Sequence, residues 1–483
     1  MTRDRLKSRN QRHITQRIII RGTLILDTPT CLGSGDADGD TDLFLLRDSL
    51  EEKALLMGSS IGGALRNYLR EYKNGYDAID SCVLFGGRRS EEEGEQSPLI
   101  INDTLSRENI KAELRDGVKI NSVTRTAEYG AKYDLELLEA GTKFDLYFEL
   151  LIDGASNREE LLRELAIALS GLERGEINIG MKKRRGFGRC HVEKWQIWQF
   201  DLQKYDERLA WLTFEHWSTE LSPTHPTHKL IKDALGVALY EEDKRDRLTI
   251  QATFQLASTM LIRSGQSSTD KAPDVVHLKS HRPEEIETNE RNLVSVISGT
   301  SLAGVLRHRA ERIIQTLKID TSIIHEVFGP DFSNDQGKQA KASRLTVDEI
   351  IIKNTTDLVQ NRIAIDRFTG GAYHGTLFSE QPIFGGDNTE MKLKLELRQP
   401  KNHEIGLIML LIKDLWTGDL PVGGTSSIGR GRLQGKNAII TLQHSQKQVI
   451  WTICQSSKDE PLVINDAESL EKFVVALHEE VTA

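Results

Sequence analysis

Cysteine is scarce in this chain. The four in 483 residues, Cys31, Cys82, Cys190 and Cys454, lie far apart with no CxxC pair, which fits neither a disulfide framework nor a zinc clip and points to a reducing compartment. Long apolar runs are missing too. None approaches the ~18–20 residues of a membrane span, and Arg3, Arg5, Lys7 and Arg9 have no apolar stretch behind them. The expectation is a soluble cytoplasmic protein with no membrane partner. Positive charge is not in excess, since the formal net charge is −9. Binding nucleic acid by bulk charge needs clustered Lys and Arg that displace counterions, so any such site here has to be local.

What the sequence does have is repetition. GSSIGGALRNYLREY, Gly58–Tyr72, returns as GTSLAGVLRHRAERI, Gly299–Ile313, and KKRRGFGR, Lys182–Arg189, returns as TSSIGRGR, Thr425–Arg432. The offsets, 241 and 243, nearly agree. The chain is therefore a duplicated module, which overrides the length prior of about three domains at ~150 residues each. Four parts follow: a first unit over 14–200, a structured connector over 201–246, a second unit over 247–442, and a C-terminal strand and helix over 443–483.

The units open with RIIIRGTLILDT, Arg17–Thr28, and LTIQATFQLAST, Leu248–Thr259, whose β-branched and apolar content reads as strand. A polar loop then leads to the repeated motif, where Gly-Ser/Thr-Ser supplies free N–H groups and hydroxyls at a helix start. VLFGG and SPLIIND in the first unit answer to VFGP and SRLTVDE in the second. Strand pairs follow within Val118–Ile152 and Ile363–Gly386, then second helices at Arg158–Leu172 and Glu404–Leu415. This order predicts an α+β fold with helices on one face of an antiparallel sheet and the other face left for RNA. The tail predicts a helix capped by Asp466.

Lys182, Lys183, Arg184 and Arg185, with Phe187 and Arg189, form the most basic run, broken by glycines that let backbone approach a phosphate. It reads as an RNA-backbone cradle with a stacking ring, or else as a solvated charged turn. Ser427, Arg430 and Arg432 are the weaker counterpart. Ser59 and Ser60, like Thr300 and Ser301, are placed to donate to phosphate at a helix N-terminus or to serve as ordinary caps. Arg66 and Arg307 sit one turn deeper, to reach phosphate or pair with an acid. At the hairpin tips, Arg125 and Tyr129, and Arg367, Phe368 and Tyr373, suit wedging against unstacked bases or cross-strand packing. DADGDTD, Asp36–Asp42, invites a calcium-loop reading that fails, because Gly39 is fourth and Arg47 twelfth. His277 reads as a structural histidine.

Taken in order, the helix start, the Phe-Gly turn with its Ser-Arg-Leu partner, and the Gly-x-Gly loop resemble the RAMP superfamily over Ile14–Leu442. The pattern is similar to backbone subunits of type III CRISPR effector complexes, two of them fused in one chain. The resemblance implies two tandem ferredoxin-like (RRM-like) domains, each with a thumb hairpin that displaces one guide and target nucleotide. It implies CRISPR RNA, target RNA and other effector subunits, a large polymerase-like one included, as partners. It also implies an endoribonuclease whose cutting Asp lies six residues ahead of a second acid. TDLFLLRD places Asp42 at the cutting position and Asp48 at the follower; PDVVHLKS places Asp274 likewise, with Ser280 replacing the acid. Asp42 and Asp274 would each take the proton of an in-line 2′-OH or hold a hydrated Mg²⁺, leaving a 2′,3′-cyclic phosphate and a 5′-OH. The alternatives are a scaffold with inert aspartates, and a guide-processing RAMP ribonuclease, which leans on a histidine base. No histidine is placed alike in both copies.

Overall fold

The computed structural model describes residues 13–33, 44–76, 83–87, 96–122, 124–240, 242–264, 273–283, 292–330, 341–444 and 447–480. In the first unit, strand β1 (Ile14–Leu26) is followed by helix α1 (Gly58–Asn74), strand β2 (Leu99–Ile101), a hairpin of β3 (Ala112–Ile120) and β4 (Ala127–Leu138), strand β5 (Lys143–Asp153), helix α2 (Arg158–Glu173) and strand β6 (Cys190–Asp201). Four strands form an antiparallel sheet in the order β2-β5-β1-β6. The period of two along β1 sends Ile18, Ile20, Leu24 and Leu26 to one face, where they join Leu65 and Leu69 of α1 and Leu161, Leu165 and Leu169 of α2 in one buried cluster. Asn157 starts α2 by accepting from Glu160 N, an N-cap worth about 1 kcal/mol.

The second unit repeats the plan. It runs through β7 (Arg247–Leu256), β8 (Val275–His277), α3 (Gly299–Leu317), β9 (Leu345–Val347), β10 (Gln360–Arg362), β11 (Phe378–Gln381), β12 (Glu390–Arg398), α4 (Asn402–Trp416) and β13 (Leu433–His444). Its central order, β9-β12-β7-β13, is that of the first unit. Beyond it, β14 (Lys447–Cys454) adds to the β13 edge and α5 (Ala467–Glu479) packs on α4. The tail helix is capped as expected, with Asp466 accepting from Ser469 N.

The expectation that each sheet leaves its second face open fails for the first unit. Ile19, Tyr147 and Phe200 on that face are buried under the connector, with Trp198, Trp211 and Phe214 packed around them. Arg21 lies 4.9 Å from the Trp198 ring and 5.0 Å from Phe214, and donates to the Glu215 carbonyl at 2.6 Å. A guanidinium facing rings and carbonyls has lost its water to the connector, and burial pulls its pKa down. In the second unit the equivalent positions, Thr249 and Gln251 of β7, stay polar and line a cleft between the units.

A buried polar network also crosses the junction between the units. Arg115 of β3 donates to Glu113 and, at 2.8 Å, to Glu349 of the second unit. Arg282 also donates to Glu349, and Ser280 donates to Glu113 at 2.8 Å. Ser280 is wholly buried, so the residue that departs from the acidic pattern is a contact between units. The glycine-bearing loop after α2 docks here too. A Cβ on Gly186 would strike the Glu349 backbone, and one on Gly299 would strike the Arg185 and Val347 carbonyls.

Candidate nucleic-acid interface

Both helix starts are built by local hydrogen bonds. At α1, Met57 is extended and gives no side-chain cap; instead Gly58 N donates to Asp103 Oδ1 at 2.7 Å, leaving Ser59 and Ser60 exposed on the first turn. At α3 the cap is Ser298, which accepts from Ser301 N at 3.2 Å and gathers the Thr300 and Ser301 hydroxyls. Ser298 immediately precedes the repeated motif and was missed. The glycine loops match in conformation: Lys182 and Thr425, Gly186 and Gly429, and Gly188 and Gly431 all take positive φ. In both, the three residues after the first left-handed one form a single 3₁₀ turn, Lys183–Arg185 and Ser426–Ile428.

The units frame a cleft of about 640 Å³. From the first come Ser59, Ser60, Lys183, Arg184 and Arg189; from the connector and second come Arg245, Arg247, Thr249, Gln251, Lys394 and Arg398. Sequence reasoning found the first set and missed the second. Its signal was present, since Lys392, Lys394, Glu396 and Arg398 alternate with buried Met391, Leu393, Leu395 and Leu397 along β12. Most of these cations are matched. Arg245 pairs with Glu176 at 2.7 Å and Asp243 at 2.6 Å, Arg247 with Asp243 at 3.0 Å, Arg398 with Glu71 at 3.0 Å, and Arg189 with Asp348.

Lys183, Arg184 and Arg185 are not matched. Among the described residues no carboxylate lies within ion-pair distance of any of them. Arg184 donates to the Thr346 hydroxyl at 3.0 Å, and Arg185 Nη1 is buried with no partner. Burial, then the positive neighbour Arg398, brings Arg184 down to about 10. Burial, then Arg307, lowers Arg185, and burial is the main cause lowering Lys183. Half-buried cations lowered by burial and by neighbouring cations mark a place whose field wants an anion. The run is not one cradle, however. Lys183 and Arg184 face the cleft, while Lys182 sits 4.1 Å over the Tyr133 ring and Arg185 turns to Arg307 of α3.

Several expected roles are corrected by these contacts. Phe187 is no stacking ring: it is 1% exposed and packs on Cys31, Leu135 and Leu137, because the loop tucks its only apolar side chain under β4. Arg66 donates to the Gly86 carbonyl at 3.1 Å and Arg307 to the Gly329 carbonyl at 3.0 Å. The repeated arginine therefore pins the repeated Phe-Gly turn in each unit. Arg307 also bonds Glu311. Arg430 is 3% exposed and pairs with Glu380 at 2.9 Å, so it offers nothing to RNA. Ser427 and Arg432 remain exposed.

Asp42 lies outside the described residues. Its follower Asp48 accepts from Leu50 N at 3.0 Å and Glu51 N at 2.8 Å, closing a turn. Asp274 is exposed and accepts from Ser379 N at 2.7 Å and Ser379 Oγ at 3.1 Å, which holds its carboxyl below the ordinary range. Among the described residues no group of three His, Cys, Asp or Glu side chains could hold a metal. The hairpin tips project. Tyr129 and Phe368 are fully exposed and Tyr373 is 59% exposed, so none is a cross-strand packing partner; Arg125 and Arg367 are exposed as well. The β3–β4 tip reaches over α3, where burial first and then Arg307, Arg125 and Lys119 lower His308.

His277 is structural. It is 3% exposed, and its Nδ1 accepts from Ile262 N at 3.1 Å, while burial pushes its pKa down to about 4. The unfolded chain protonates this histidine near pH 6.5, so below that pH it binds more protons than the folded one. Stability is expected to fall by about 2 kcal/mol between pH 7.5 and pH 5 from this group alone. Urea unfolding of the native chain and of His277→Gln at both values checks it; an equal loss in the two would remove His277 as the cause.

Two copies of one α+β unit, joined at a cleft with unmatched cations, define a tandem-repeat protein with an anion-seeking seam. A family model described as the RAMP superfamily matches residues 23–191 and 253–434, and the chain belongs to that family. Membership makes it a CRISPR-associated protein. No curated protein matches the chain. Among the described residues, no helix is long and apolar enough to cross a membrane.

Proposed function

We propose that the chain is a backbone subunit of a type III CRISPR effector complex that holds CRISPR RNA along the seam between its units and cuts complementary target RNA at two spaced places. The observation that carries the RNA reading is the run Lys183–Arg185, three partly desolvated cations with no carboxylate within ion-pair distance among the described residues. Phosphates would supply the missing charge, and the hydroxyls of Ser59 and Ser60 on the same cleft would add donors. The strand order supports reading each unit as a ferredoxin-like domain, and the exposed Tyr129 and Phe368 support reading each hairpin as a thumb that displaces a base.

The cutting chemistry rests mostly on the RNA. A displaced nucleotide puts its own 2′-OH in line with the next phosphorus, and holding that geometry removes much of the barrier. Asp274 stands beside the base of the second hairpin, through its bonds to Ser379 of β11. A carboxylate held ionised by two donors is a weak base, which favours its holding a hydrated cation over taking the proton. Asp274 with RNA phosphates suits Mg²⁺, which keeps most of its water and needs one or two carboxylates; the ion would stabilise the charge that develops on the phosphoryl group.

A scaffold without cutting is the second reading, favoured by the lack, among the described residues, of any group of three His, Cys, Asp or Glu side chains that could hold a metal. The test uses the chain assembled with guide RNA and its partner subunits, end-labelled target RNA, and Mg²⁺ against chelator. Asp42→Ala is expected to remove one product and Asp274→Ala a different one, with guide affinity unchanged. Target left whole in Mg²⁺ by the native complex selects the scaffold; equal loss of every product from either change excludes two sites.

A further inference from the structure

The segment that carries Asp274 is tied on one side to the second hairpin, and continues through Leu278 into the main sheet, where Lys279–His281 pairs with residues 293–295. Strand β8 pairs with β11 in parallel, Val275 opposite Glu380 and Val276 opposite Gln381. Just ahead of this pairing, Asp274 and Ser379 clasp each other three times: Ser379 N and Oγ donate to Asp274 Oδ2 at 2.7 and 3.1 Å, and Asp274 N donates to Ser379 Oγ at 3.1 Å. The next residue, Glu380, is 1% exposed and is held by Arg430 at 2.9 Å and Arg362 at 3.0 Å. Arg430, 3% exposed, also donates to Gln360 Oε1 at 2.8 Å and Thr425 Oγ1 at 3.2 Å. A chain of contacts thus runs from the second glycine loop through Arg430 and Glu380 to Ser379 and Asp274.

The geometry points to Ser379 as a positioning residue for Asp274, anchored from behind by the buried Glu380–Arg430 pair. This rests on the reading in which Asp274 takes part in cutting target RNA. An exposed aspartate has several rotamers of similar energy. Two donors on one oxygen restrain the carboxylate, and no bond to Oδ1 is seen among the described residues, so that oxygen can take a cation's water or a 2′-OH. The strand pairing also makes the carboxylate move with the hairpin, so base displacement and the carboxylate arrive together. Arg430 thereby acquires a use other than phosphate binding: it transmits the position of the glycine loop to the hairpin base.

The experiment is single-turnover cleavage of labelled target RNA by the complex assembled with guide RNA, each cut mapped separately, across a Mg²⁺ titration. Ser379→Ala is expected to slow the Asp274-dependent cut by about 10-fold or more, the usual cost of removing a partner that orients a ligand, and to raise the Mg²⁺ concentration for half-maximal rate at that cut alone. Ser379→Thr, which keeps the hydroxyl, is expected to restore both. The other cut and guide affinity should not change. A Ser379→Ala complex with native rate and Mg²⁺ dependence at that cut overturns the assignment, as does equal slowing of both cuts or no rescue by Thr. The parent reading fails separately: Asp274→Ala would then leave every cut in place in a complex that still cleaves.

Discussion

Removing Glu349 is expected to destabilise the protein by about 3–5 kcal/mol, because it strands two buried guanidinium groups. Glu349 has no exposed side-chain surface and takes Arg115 from the first unit and Arg282 from the second. Arg115 is itself only 5% exposed, and its remaining partner is Glu113. Burial opposes ionisation of Glu349, yet Arg115 and then Arg282 outweigh it and its pKa lies below the ordinary value. Its contribution is therefore present at neutral pH and lost as pH falls through the carboxylate range. Glu349→Ala, Arg115→Ala and the double variant, compared by urea unfolding, form a cycle. Coupling of several kcal/mol locates the loss at the junction between units; a coupling near zero would mean that water or other donors satisfy Arg115 when Glu349 is gone.

The junction also shows which parts of the molecule the sequence could reveal. The repeat, the helix starts and the strand order are local or nearly periodic features, and apolar alternation along β7 and β12 sets their faces. What faces what across the units is not periodic. Ser280 reads as a lost acid when aligned with Asp48, and only the approach of Glu113 from the other unit explains a buried hydroxyl there. Phe187 lies amid basic residues, and its burial depends on Leu135 and Leu137 of β4, about fifty positions earlier in the chain. The aromatic residues of the connector carried no motif, yet Trp211 and Phe214 close the face that the element order had left to RNA. Arg66 and Arg307 were legible as repeated but not in role, because a carbonyl acceptor on a turn leaves no trace in side-chain identity. Of the candidate site, the glycine-loop cations and serines were legible from charge and spacing. Arg245, Arg247, Lys394 and Arg398 needed the fold to bring them opposite.

Replacing Lys183, Arg184 and Arg185 with Ala together should weaken guide binding most at low salt and stabilise the free protein. Each cation that meets a phosphate releases about 0.7 of a counterion from a single strand. Lys183 and Arg184 face the cleft, so two lost contacts flatten the slope of log affinity against log salt by about 1.4. Between 50 and 200 mM salt that difference amounts to roughly a seven-fold change in relative affinity, so the variant's deficit shrinks as salt rises. Opposite effects on binding and folding follow from one cause. The three side chains are partly desolvated, Arg184 stands near Arg398 and Arg185 near Arg307, so the free protein bears a cost that the more distant Glu71 and Glu396 offset only in part and that a polyanion relieves. The bond from Arg184 to Thr346 is lost in the variant, but a hydroxyl acceptor is worth about 1 kcal/mol, less than relief of three crowded charges. Fluorescence anisotropy of labelled guide RNA over a salt series, with thermal unfolding of the same preparations, measures both. An unchanged salt slope would return the run to a solvated turn, and a large loss of thermal stability would make these residues props of the junction instead of its anion site.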